Sequence, residues 1–137
     1  MINIIGSTNL ITELSRSRTI AFLEMGNIQS CTAAVNSLAK TIHYSTNFTI
    51  PCDITGHCFR ITLPSGQVVS VSVPPDVNLN LTEKTLESAV FETALFGKDG
   101  NIMYSDELGY EDIQRFFSHE DVCEELKRIN SLTLRKK

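Results

Sequence analysis

The chain has no glycine-rich loop able to cradle a phosphate, because its seven glycines stand apart at positions 6, 26, 56, 66, 97, 100 and 109. G-x-S-x-G, H-E-x-x-H and G-K-[ST] are absent as well, which removes the nucleophile-elbow hydrolases, the zincins and the P-loop nucleotide binders. No window approaches the roughly 20 apolar residues that a membrane-spanning helix needs. The opening Met1-Ile2-Asn3-Ile4-Ile5-Gly6 lacks the basic stretch of a secretory signal. Low-complexity tracts and internal repeats are also missing, and the longest linker-like segment lies around Pro74-Pro75. These absences read together as a cytoplasmic protein with no membrane contact.

A chain of 137 residues suits a single domain, 1–137, since domains cluster near roughly 100–150 residues. At that size about two-thirds of the unfolded surface is buried on folding, so neither a metal nor a disulfide is required for stability. In a reducing compartment the four cysteines are thiols. For the same reason the sequons Asn47-Phe48-Thr49 and Asn80-Leu81-Thr82 read as chance matches.

Charge of one sign is scarce where it would favour nucleic acid. Residues 1–75 carry three acids and four bases, whereas 76–137 carry thirteen acids and eight bases. Between Asp106 and Glu125 there are eight acids and one base, Arg115. Such a surface repels a phosphate backbone, so direct binding of DNA or RNA through this half is excluded as the expected activity.

Hydrophobic spacing supplies the elements. A short strand at 2–5 is followed by apolar positions 10, 11, 14, 21, 22 and 25, which fit a helix ending at Gly26, with a strand over 19–25 as the competing reading. Ile28, Cys31, Val35, Leu38 and Ile42 recur at three and four, which predicts a helix over 27–43 capped by Asn27. Asn47–Ile50 reads as extended, and Pro51 stops pairing. His57, Phe59, Ile61 and Leu63 alternate with polar residues, as do Val69, Val71 and Val73, so the two runs form a hairpin around Pro64-Ser65-Gly66. A second hairpin pairs 86–96 with 101–104 through a primed Asp99-Gly100 turn, and 110–116 adds a further strand. Ser118 caps a helix to about 130, with Asp121 in the capping-box position and Lys127-Arg128 in the last turn. The fold class expected is α+β: a hairpin-rich antiparallel sheet of about five to seven strands with helices packed on one face.

Candidate chemistry is thin. Cys31 lies on the apolar stripe and reads as core, and His43 is about 18 Å further along the same helix, beyond the reach of a Cys/His pair. Cys52, His57 and Cys58 lack the paired spacing of a zinc site, and in a strand His57 and Cys58 point to opposite faces. The carboxylates of 105–112 fail as an EF-hand loop, because Tyr104 and Tyr110 fall where glycine and the closing glutamate belong when counting starts at Asp99. His119 reads as a surface residue.

Tyr104, Tyr110, Phe116 and Phe117 bracket the acidic loop as aromatic anchors of the kind interfaces favour, with Tyr104 and at least one phenylalanine expected to close the core beneath the terminal helix. The function expected is a non-enzymatic interaction or regulatory protein without metal or cofactor. Its contact residues would be Asp106, Glu107, Tyr110, Glu111 and Asp112. They would bind a basic protein, such as a nucleic-acid-binding one inhibited by imitation of phosphate charge. Two alternatives stand beside it: a small-ligand or metal-dependent site near His57 and the 106–112 loop, and a homo-oligomer formed through an uncovered sheet edge such as 68–73.

Overall fold

The computed structural model describes residues 28–51 and 54–135. The expected strand at 2–5, the element proposed for 10–25, the Asn27 cap and Cys52 lie outside these residues.

Residues 28–46 are helical and form α1. Cys31, Val35, Leu38 and Ile42 are fully buried, as their spacing requires, but Ile28 is 44% exposed and leaves the stripe. Asn47 is not extended: its φ of 60° and its N–H, 2.9 Å from the His43 carbonyl, make it a left-handed helix cap.

Five strands follow: β1 (Cys58–Thr62), β2 (Val68–Ser72), β3 (Phe91–Phe96), β4 (Ile102–Met103) and β5 (Gln114–Phe116). They make one antiparallel sheet in which β2 sits between β1 and β3, and β3 is bordered on its far side by β4 and β5. Residues 68–73 are therefore interior, and the edge offered above for self-association does not exist there. A 3₁₀ helix, Glu83–Ser88, occupies the stretch expected to begin the third strand. The crossing from β2 to β3 is fastened by Asn78, 6% exposed, whose amide donates to the Pro74 and Val90 carbonyls and accepts from the Val90 N–H at 2.7 Å. Ladder bonds are unavailable in this stretch, so one side chain supplies them.

Both tight hairpins use the same loop. Gly66 N–H bonds the Leu63 carbonyl at 2.8 Å with φ 94°, and Gly100 N–H bonds the Gly97 carbonyl at 3.0 Å with φ 82°. Only the glycine is left-handed, so these are three-residue loops with a bulge glycine rather than the primed turn expected at Asp99-Gly100.

The last helix, α2 (His119–Leu134), opens at Ser118, whose hydroxyl accepts from the Asp121 N–H at 3.1 Å. It continues past 130, so Lys127 and Arg128 are mid-helix rather than in the last turn. Phe59, Ile61, Val69, Val71, Phe91 and Leu95 on one sheet face join the stripes of α1 and of α2 (Val122, Leu126, Ile129) in one buried cluster. Cutting Leu38 or Leu126 to alanine in such a core costs about 2–5 kcal/mol.

Candidate functional site

The far edge of the sheet is one strand broken in two. Met103 lies opposite Leu95 and Gln114 opposite Thr93, so a single β3 position, Ala94, separates the ends of an excursion over 104–113. The excursion closes on itself through paired bonds between Ser105 and Tyr110, 2.8 and 2.7 Å. Its tip turns at Gly109, φ 77°, whose N–H bonds the Asp106 carbonyl at 3.1 Å.

What seats this hairpin is a polar network, buried at Thr93, Tyr110 and Glu125 and open to solvent at Arg128. Thr93 on β3, fully buried, donates its hydroxyl to the Tyr110 oxygen at 2.6 Å, and Tyr110 donates in turn to Glu125 Oε2 at 2.8 Å. Arg128 clamps the same carboxylate, Nε to Oε1 at 2.5 Å and Nη2 to Oε2 at 3.0 Å, and Nη2 also reaches the Leu108 carbonyl at 2.7 Å. Burial, reinforced by the Glu125 carboxylate, holds the Tyr110 hydroxyl protonated far above its ordinary range, and the bond to Glu125 raises Arg128 further. Charge-assisted, bidentate bonds of this sort are the strong ones.

Tyr110 is therefore a core residue, 1% exposed, and drops out of the contact surface proposed for it above. Phe116 also packs against the core, whereas Tyr104, expected inside, is 64% exposed. Asp106, Glu107, Glu111 and Asp112 are all exposed. Strand alternation places Ile102, Tyr104, Ile113 and Phe117 opposite in sense to the core-facing Met103 and Phe116, and each of the four is 37% exposed or more. Exposed acids and exposed large apolar side chains thus lie close together in sequence along the broken strand and its excursion.

The alternative pairing of His57 with this loop fails on topology. His57 precedes β1 on one edge, and the loop springs from the other, three inter-strand spacings or about 14 Å away. Cys58 is exposed, and among the described residues no group of three or more His, Cys, Asp or Glu side chains could hold a metal ion. Cys31 is buried, and burial pushes its thiol above the ordinary range.

Two features escaped the sequence. Glu125 belongs to the buried network, although its i,i+3 spacing to Arg128 was a visible signal. His119 is not simply at the surface: it borders a cleft of about 540 Å³ with Thr41, Ser45, Glu87 and Cys123. Cys123 is 4% exposed and burial raises its thiol too, so a neutral thiol rather than a nucleophile stands there.

Comparison with protein families, curated proteins and solved structures finds no match for this chain. What fold and site define is a class by construction: an α+β sheet whose broken edge strand presents an acidic hairpin braced from beneath. No helix among the described residues is long and apolar enough to cross a membrane.

Proposed function

We propose that this protein is a non-enzymatic interaction module that binds a basic protein partner through the outer side of the broken edge strand. The observation that carries this reading is the pairing of exposed carboxylates at 106, 107, 111 and 112 with exposed Tyr104, Ile113 and Phe117 on one braced segment. Aromatic anchors supply contact area at low entropic cost, and the surrounding acids select the partner and speed encounter. The brace supports the reading further, because a pre-ordered loop loses little freedom on binding. Where the partner itself binds nucleic acid, the carboxylates take the place of phosphates and the module acts as an inhibitor.

The test is capture from source-cell extract with the wild type and with a variant carrying Lys at Asp106, Glu107, Glu111 and Asp112, its fold checked by circular dichroism. A basic partner held by the wild type, lost from the variant and released as salt rises past about 0.1 M supports the reading, since exposed charges are screened within about 10 Å there. An unchanged set of captured proteins overturns it. Nucleic acid displaced from the captured partner by added wild type would mark inhibition.

A further inference from the structure

The first residue of α2 is held in an arrangement that suits only one of its protonation states. His119 Nδ1 lies 3.0 Å from Thr41 Oγ1, and that hydroxyl donates to the Ser37 carbonyl at 3.2 Å. We assign the threonine proton to that carbonyl and the imidazole hydrogen to Nδ1, because the other tautomer would bury an Nε2–H that has no acceptor. Nε2 is then a bare lone pair. It is buried and is the single buried side-chain nitrogen or oxygen among the described residues without a hydrogen-bond partner. The ring stands edge-on to Phe91, centroids 5.3 Å apart at 64°. One side chain thus ties the start of α2 to both α1 and β3.

Protonation would place a second N–H where no acceptor waits, in a poorly hydrated position, and at the positive end of the α2 macrodipole. The groups around it pull unequally. From α1 come Thr41 and Ser45, neither charged; from β3, Phe91; from the 3₁₀ helix, Glu87; from α2, Glu120, Cys123, Glu124 and Lys127. Burial lowers the basicity of His119 and outweighs the opposing pull of Glu87.

We propose that His119 is a pH-sensitive latch: neutral, it fastens the first turn of α2 to α1 and β3, and protonated, it releases the Phe117–Ser118 corner. Phe117 is one of the exposed anchors, so the regulatory consequence rests on the binding role proposed above, while the latch itself does not. Opening frees the imidazole to its ordinary pKa. Between that value and the latched one, the open form binds more protons, so the latch weakens about tenfold per unit fall in pH.

The experiment follows His119 by NMR from pH 8 to pH 5, with amide exchange across 117–124, in the wild type and in His119→Asn, whose amide can still donate to Thr41. The latch predicts a His119 titration below the ordinary histidine range. It also predicts first-turn exchange that rises about tenfold per pH unit through the same window, once corrected for intrinsic rates, and an Asn variant without that rise. A His119 titration at or above the ordinary range, or an Asn variant with the wild-type profile, overturns it. Should the variant not fold, the wild-type titration and exchange decide alone. These readouts involve no partner, so they can fail without touching the binding proposal. Partner capture repeated at pH 8 and pH 5 links the two if capture is lost at low pH in the wild type only.

Discussion

The Tyr110 hydroxyl donates to Glu125 Oε2 across 2.8 Å inside the protein, joining an acidic surface loop to the middle of α2. Removing that hydroxyl leaves a nearly buried carboxylate one donor short and the Thr93 hydroxyl without its acceptor. Tyr110→Phe should lower stability by about 1–3 kcal/mol in urea denaturation, with slope unchanged. Glu125→Leu, which leaves the buried Tyr110 hydroxyl without its acceptor while Arg128 stays partly in solvent, should cost about 2–3 kcal/mol. Equal midpoints for wild type and both variants would show that the network does not hold the hairpin.

The exposed acids should behave in the opposite way. Neutralising Asp106, Glu107, Glu111 and Asp112 to Asn or Gln one at a time should move stability by no more than about 0.5 kcal/mol each. Thermal scans of the four single variants check this. A large loss at any one would mean that a carboxylate is built into the fold rather than displayed on it.

Two glycines with equal room should respond with opposite signs. A Cβ at Gly56 or at Gly109 would meet nothing within 4 Å, but Gly109 alone has a positive φ, +77°. Gly109→Ala should destabilise by about 1–2 kcal/mol from backbone conformation alone, whereas Gly56→Ala should be neutral or stabilising by up to about 1 kcal/mol. Denaturation midpoints moving in the same direction would contradict the assigned turn.

Asn78 should be among the costlier polar positions. Asn78→Ala strands the Val90 N–H and two carbonyls, and about 2–3 kcal/mol of stability should disappear in chemical denaturation. Faster amide exchange at Val90 would localise the damage.

Thiol chemistry should separate the three described cysteines. In the folded protein at pH 8 an alkylating reagent should label Cys58 first, because Cys31 and Cys123 are buried and held as neutral thiols. Peptide mass spectrometry gives the order, and early labelling of Cys123 would show that the cleft beside His119 opens readily.

The parts legible in the sequence are those set by periodicity. Alternation at 57–63 and 69–73 places β1 and β2, and three-four spacing places most of α1 and α2. Glycine positions marked both tight turns but not their type, because the type depends on which residue takes positive φ, and Asp99 does not. The 3₁₀ helix at 83–88 was illegible, since six residues offer no period to distinguish from a strand. Tyr110 was misplaced because an aromatic among acids looks like a surface anchor; only the fold brings Thr93, seventeen residues earlier, and Glu125, fifteen later, to its hydroxyl. His119 was misplaced for a related reason, as its partners Thr41 and Phe91 belong to distant elements.

The break between β4 and β5 bears on which deletions the fold tolerates. One linking residue opposite Ala94 would let Met103 run on to Gln114 as an unbroken strand, so ladder geometry alone makes 104–113 removable. Leu108 and Tyr110 argue the other way, because both are buried and Tyr110 is one of the donors to Glu125. A shortened chain would keep its ladder pairing yet lose stability unless Glu125 and Arg128 were replaced together by apolar residues. The excursion has become part of the foundation it sits on.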